Sequence, residues 1–391
     1  MLNTEFSPWP SFSEKEANAV RDVLLSNRVN YWTGDECRKF EKEFASWCEV
    51  DYAIAMSNGT VALDAALKVL GIGGGDEVIV TSRTFLASVS SIVNTGAKPI
   101  FSDISQDSQN ITPETVRGKI NQNTKAIICV HLAGWPCEME GMMALADEFD
   151  LYVIEDCAQA HGAHYKGEPV GSIGHIGTWS FCQDKIMTTG GEGGMITTND
   201  YQLWSKMWAY KDHGKSWNSV YESQHPPGFR WLHDSFGTNG RMTEIQATIG
   251  RIQLNRMTDW TAKRISNSNK IWETGRKMPG LRVPTIPDDI VHAAYKCYVF
   301  IEPSELKCGW SRDRIMEAIN KLGVPCFSGS CSEVYLEKAF DDTGYRPRQK
   351  LPIAQKLGET SLMFLVHPTL TTAEVAKTCD VLTKVMQNAQ L

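Results

Sequence analysis

A lysine set between an apolar run and a glycine-rich stretch has the surroundings of a nucleophile. Lys185 is so placed: Ser180-Phe-Cys-Gln-Asp184 precedes it and Thr188-Thr-Gly-Gly-Glu-Gly-Gly194 follows. Burial or nearby positive charge lowers a lysine's pKa and frees its amine to form a Schiff base with a carbonyl. The alternative is a solvated loop lysine. The glycines allow tight packing around it and are not a Walker loop, since no Gly-x-x-x-x-Gly-Lys-Ser/Thr occurs. Upstream, Val153-Ile-Glu-Asp156 ends an apolar run, so Asp156 stands at the carboxyl end of a strand, where open α/β sheets bind ligands. Its carboxylate suits either a helix cap or a cationic ring nitrogen. A third segment, Ser57-Asn-Gly59-Thr60, joins a strand to a helix. Glycine there lets the backbone approach a ligand, and the free N–H groups of a helix start attract an anion such as phosphate. Taken alone it is equally an ordinary N-cap and turn.

These residues need elements to hold them. Helical periodicity covers residues 13–26, with Ser13 as cap, and 35–48, with Phe40, Phe44 and Trp47 on one face. Strands are expected at 52–56, 77–81, 98–101, 126–130 and 151–154. They alternate with helices at 61–70, 85–93 and 139–148 and one starting at Thr112-Pro113-Glu114. That alternation predicts an α/β fold with a mostly parallel sheet covered on both faces. It fades near residue 256, and the signals after Pro279 mix helix and strand. We expect a large domain over 1–255 and a smaller α+β domain over 256–391, with loops at 284–287 and 345–352.

The bulk composition excludes several classes. The chain has 391 residues, 42% of them hydrophobic, and a formal net charge of −7. No basic stripe suggests nucleic acid, and no run approaches the roughly 18 apolar residues of a membrane span. The opening residues lack a basic stretch followed by an apolar run, so no leader is expected. Eleven cysteines with no Cys-x-x-Cys pair suggest reduced thiols in a cytoplasmic protein, without a metal site; Cys326 and Cys331 read as two unrelated thiols.

In this order, the turn at Ser57–Thr60, Glu155-Asp156-Cys-Ala-Gln159, and Ser180-Phe-x-x-x-Lys185 with its Thr-x-Gly-Gly-Glu-Gly-Gly tail resemble the DegT/DnrJ/StrS family of pyridoxal-phosphate (PLP) sugar aminotransferases. So do Trp32-Thr-Gly34, Phe40-Glu41, Asn239-x-Arg241-Met-Thr-Glu-Ile-Gln-Ala247, Leu351-Pro352 and His367-Pro368. The resemblance implies the type I PLP aminotransferase fold. It implies that Lys185 forms the Schiff base and moves the proton, and that Asp156 pairs with the pyridine nitrogen so the ring acts as an electron sink. Gln159 would hydrogen-bond near the ring hydroxyl and Phe85 would stack on the ring, although Phe85 is also a candidate core aromatic. Gly59, Thr60 and Ser180 would hold the phosphate. Asn239, otherwise a turn residue, would reach the phosphate of a neighbouring subunit, which implies a homodimer with shared active sites. The amino donor would be L-glutamate. Lys185 argues against the branch that carries histidine at this position and removes a hydroxyl.

Three departures from the family pattern concern the acceptor: Arg83 beside Phe85, an extra glycine within 188–194, and Gly323-Val-Pro-Cys-Phe-Ser-Gly-Ser-Cys331 in place of a Tyr-x-Pro-x-His segment. Arg83 would suit a substrate carboxylate; a surface or inter-subunit salt bridge is the alternative. Trp32 is a second substrate candidate. The whole-chain likeness points to the C8 aldehyde of an oxidised 3-deoxy-manno-octulosonate, a lipopolysaccharide sugar acid. A nucleotide-linked 4-keto-6-deoxyhexose is the alternative acceptor, and a non-catalytic sensor on the same fold the alternative of another class. His131, His161 and His367 match family positions but are equally core histidines. The loop over 212–236 is expected to fold over the site or a partner subunit.

Overall fold

The computed structural model describes residues 6–228 and 230–391. Seven strands form the central sheet, in the order Tyr52–Met56, Gly194–Thr198, Ile176–Ser180, Tyr152–Asp156, Thr124–Val130, Glu77–Thr81 and Lys98–Ser102. Only Gly194–Thr198 runs against its neighbours; the other six share one direction. Val78, Ile79 and Val80 are all fully buried, as are Ala126 to Cys129. Side chains on a strand alternate between faces, so burial of consecutive residues means both faces are covered.

The strand directions put the chemistry on one edge. The carboxyl ends of Tyr52–Met56, Glu77–Thr81, Tyr152–Asp156 and Ile176–Ser180 lead into Gly59, Phe85, Gln159 and Lys185 respectively. An aromatic core steadies that edge: Phe44 packs on Trp179 at 5.2 Å and on Phe181 at 5.7 Å, and Phe40 meets Phe181 at 5.6 Å. The helical face expected over 35–48 is the one that supplies Phe40 and Phe44, in helix Glu36–Trp47.

A second, antiparallel sheet has the order Leu281–Arg282, Cys297–Ile301, Ser361–Phe364, Cys326–Phe327. Its core joins Val299, Ile301 and Leu362 to Ile271, Ile315 and Val385 from three helices.

Some elements differ from expectation. The helix expected over 85–93 is Ala87–Asn94, which leaves Phe85 outside it and 71% exposed, so Phe85 is not a core aromatic. The helix expected from 61 starts at Gly59, because Asn58 caps it by accepting from Val61 N at 2.9 Å. Near 256 the strand–helix alternation gives way to two successive helices, Glu244–Leu254 and the 19-residue Met257–Gly275, the latter not located from the sequence. Pro352 opens helix Pro352–Thr360. No helix among the described residues is long and apolar enough to cross a membrane.

Candidate active site

Asp156 is the last residue of its strand and 6% exposed. Its Oδ2 accepts from Ser88 Oγ at 2.7 Å and its Oδ1 from Ala158 N at 3.1 Å. With its proton given to Asp156, Ser88 Oγ accepts from Thr84 Oγ1 at 2.8 Å. Two donors thus aim the carboxylate. Thr84 and Ser88 flank Phe85 at helical spacing. The sequence reading missed both, since hydroxyls near a helix start usually serve as caps.

The backing of this carboxylate is a second, buried one. Glu155 Oε2 accepts from His131 Nε2 at 2.9 Å and Gly171 N at 2.9 Å; its Oε1 accepts from Ile173 N at 3.0 Å and Gly174 N at 2.6 Å. Cys137 N donates to His131 Nδ1 at 2.9 Å, which leaves the ring proton on Nε2, facing Glu155. Cys157 lies close to this pair, but both His131 nitrogens and both Glu155 oxygens are already engaged. The cluster is a hydrogen-bonded strut that ties the loops at 131–137 and 171–174 to the strand end bearing Asp156. Gln159 Oε1 accepts from Ala133 N at 2.9 Å, which leaves its amide nitrogen to donate into the site.

Gly59 and Ser180 come together from two strand ends. A Cβ on Gly59 would fall 2.6 Å from Ser180 Cβ, so only glycine allows the helix start to approach this closely. The first N–H groups of this helix, those of Gly59 and Thr60, have no intrahelical acceptor, the arrangement to which an anion is attracted.

Lys185 lies in the connection between Ile176–Ser180 and Gly194–Thr198, where Lys185 N donates to Cys182 O at 3.1 Å. Its Nζ stands 5.4 Å from the Tyr295 ring centre. The preceding Asp184 accepts from Tyr295 Oη at 2.6 Å and faces Lys296 Nζ at 3.8 Å. Burial alone would raise the Asp184 carboxyl; the Tyr295 hydroxyl, Lys296 and Lys185 outweigh it and hold it below the usual range. Lys296 itself is pushed down to about 8 by burial, against the pull of Asp184. His161 is fully buried, and burial with the charges of Lys185 and Arg264 brings it to about 3. His367 is brought to about 3 by burial with Arg264 and Lys296. Both rings are therefore neutral in this electropositive setting. Tyr295, Lys296 and Arg264 carry no local sequence signal, because the fold brings them to Lys185 from distant parts of the chain.

Arg83 does not share Phe85's surroundings. It is fully buried and points to the antiparallel sheet, where Nη2 donates to Ser361 Oγ at 2.8 Å and the guanidinium lies 5.5 Å from the Tyr298 ring centre. Its Nε and Nη1 meet no acceptor, and among the described residues it has no carboxylate partner, which overturns the surface salt bridge. Tyr298 Oη accepts from Ser330 N at 2.9 Å, and a Cβ on Gly329, at φ +91°, would fall 2.4 Å from the Tyr298 ring. Two of the three departures in the sequence, Arg83 and residues 323–331, therefore meet around Tyr298.

Trp32 and Asn239 lie elsewhere. Trp32 packs edge-on to Trp208 at 6.1 Å, with Lys215 Nζ 4.7 Å above its ring; its described contacts do not include Lys185 or Asp156. Residues 215–221 lie against their own subunit, Trp217 meeting Trp204 at 5.3 Å and Trp208 at 5.2 Å. Asn239 is exposed, in a bridge with Asp212. All eleven cysteines are free thiols, with Cys326 buried and Cys331 exposed.

The arrangement fits PLP. A buried, doubly aimed carboxylate suits a protonated pyridine nitrogen, an exposed aromatic ring at the same sheet edge suits its face, and a helix start opened by Gly59 suits its phosphate.

The sequence profile of the DegT/DnrJ/EryC1/StrS aminotransferase family matches residues 10–383. The GDP-perosamine synthase of Escherichia coli O157:H7 is 36% identical over 373 residues, 95% of each chain. A dTDP-3-amino-3,4,6-trideoxy-alpha-D-glucose transaminase of Streptomyces venezuelae is 31% identical, over 93% of this chain and 89% of its own. The crystal structure of an aminotransferase from Psychrobacter cryohalolentis superposes with a TM-score of 0.97 at 64% identity, over 98% of this chain and 99% of that one. Match, fold and site geometry agree, and the chain belongs to the DegT/DnrJ/EryC1/StrS family of PLP-dependent sugar aminotransferases.

Proposed function

We propose that this enzyme moves an amino group from L-glutamate to the C8 aldehyde of an oxidised 3-deoxy-manno-octulosonate, making an amino sugar acid of lipopolysaccharide. Bound PLP supplies the exchangeable imine carbon and the electron sink. Lys185 holds the cofactor and carries the proton to and from the donor's α-carbon. Asp156, aimed by Ser88 and Ala158 N, keeps the pyridine nitrogen protonated. Gln159 donates towards the ring hydroxyl, Phe85 covers the ring face, and Gly59, Thr60 and Ser180 bind phosphate. Asn239, which is exposed beside Asp212, would reach the phosphate of a second copy in a homodimer.

The observation that favours a sugar acid is Arg83. A fully buried guanidinium with two nitrogens lacking acceptors is costly unless an anion completes it. It lies beneath the 328–331 loop, at the segment that departs from the family pattern, and a carboxylate matches its fork. A nucleotide-linked 4-keto-6-deoxyhexose is the second reading, favoured by the relatives named for GDP-linked and dTDP-linked sugars. Assaying both acceptor classes separates them. Arg83→Gln is expected to raise KM for the octulosonate aldehyde about 10- to 100-fold, the loss of a charged hydrogen bond. Turnover restricted to nucleotide-linked ketosugars would eliminate the sugar-acid proposal.

A further inference from the structure

We infer that Trp9 is a positioning residue for the Schiff-base lysine, an inference that rests on the role proposed above for Lys185. The indole Nε1 donates to the backbone carbonyl of Lys185 itself at 2.8 Å, across 176 residues of sequence. The ring is held on three sides: stacked on His367 at 5.9 Å, edge-on to Trp260 at 5.1 Å, and under the Arg264 guanidinium at 4.9 Å. The segment that carries it is fastened to the C-terminal part of the chain. Thr369 Oγ1 donates to Pro8 O at 2.8 Å, and the Ser7 backbone donates to Glu374.

Lys185 needs such a hold. It sits outside any strand, and the Asp184–Lys185 peptide has few partners of its own. A loop segment without ladder hydrogen bonds opens easily. Asp184 is gripped by Tyr295 and Lys296, and Lys185 O by Trp9, so the two flanks of the nucleophile's backbone are pinned by different parts of the fold. The side chain starts from that backbone, and misplacement of a catalytic amine by a fraction of an ångström slows every proton transfer it makes.

The test compares Trp9→Phe with Trp260→Phe. Phenylalanine at 9 keeps an aromatic ring among His367, Trp260 and Arg264 but removes the N–H. Trp260→Phe trims the ring packing and leaves the bond to Lys185. Apo-protein is mixed with PLP and recovery of the visible cofactor band is followed, alongside kcat, KM and thermal melting. Trp9→Phe is expected to slow recovery of the band and lower kcat about fivefold to tenfold, the value of one hydrogen bond. KM should stay within about twofold. Trp260→Phe should keep both rates near wild type. Unchanged recovery and kcat in Trp9→Phe, or equal losses in the two variants, would overturn the inference, the latter by reducing Trp9 to packing. If Trp9→Phe melts far below wild type, hydrogen exchange at the peptide spanning 182–187 replaces kinetics. Exchange faster there than elsewhere supports the inference, and a uniform rise defeats it. A wild type that forms no visible band fails the Lys185 role instead, so the two failures are distinct.

Discussion

Lys185→Ala is expected to lower kcat by about 10^3-fold to 10^4-fold, the range lost when a positioned acid–base group is removed. The loss should be larger than that of any other single substitution, because in the proposed chemistry one amine would both hold the cofactor and move the proton. The fold should survive, since Lys185 is only half-buried and its described side-chain contact is the Tyr295 ring. Lys296 is the obvious rival. Burial brings its pKa to about 8, nearer neutrality than an ordinary lysine, and it lies close to the same loop. Low basicity alone would make it the better nucleophile. Its Nζ, however, is committed to Asp184 and lies 4.6 Å from the Tyr295 ring centre. It therefore anchors the loop and does not substitute for Lys185. Steady-state assay of the variant with thermal melting as a control decides this: full folding with over a tenth of wild-type activity would pass the role to another amine.

Asp156→Asn is expected to lower kcat by about 10^2-fold to 10^3-fold, comparable to removal of a fixed electrostatic partner of the transition state. Asparagine has the same shape, and its oxygen can still accept from Ala158 N. It has no charge to keep the pyridine nitrogen protonated, so the ring loses strength as an electron sink. The phosphate cradle at Gly59 and Ser180 is formed by other strand ends, so PLP should still bind. A kcat near wild type, with PLP bound, would show that Asp156 only holds the turn at Ala158.

The parts of the site that follow strand ends were legible in the sequence, because strand direction alone carries Gly59, Asp156, Ser180 and Lys185 to a common edge. Apolar runs locate strands, and short glycine-rich or hydroxyl-rich breaks locate their ends. What periodicity cannot convey is which distant segment closes over that edge. Ser88 reads as a helix-start hydroxyl until its 2.7 Å bond to Asp156 is seen. Trp9 and Tyr295 reach the Lys185 loop from opposite ends of the chain. Arg83 stands beside Phe85 in the sequence, which gives no sign of how deeply its guanidinium is buried. The two stand two residues apart in the turn after Thr81, yet Phe85 is exposed while Arg83 is buried against Tyr298, a difference that strand alternation does not convey. Trp32 sits in an aromatic cluster with Trp208 and Tyr221 that no local pattern announces.

The most direct measurement is reduction of the PLP-loaded enzyme with borohydride followed by peptide mass mapping. The chemistry assigned here predicts the reduced cofactor on Lys185 and on no other lysine. Label on Lys296 or Lys211, or no label at all, would contradict it.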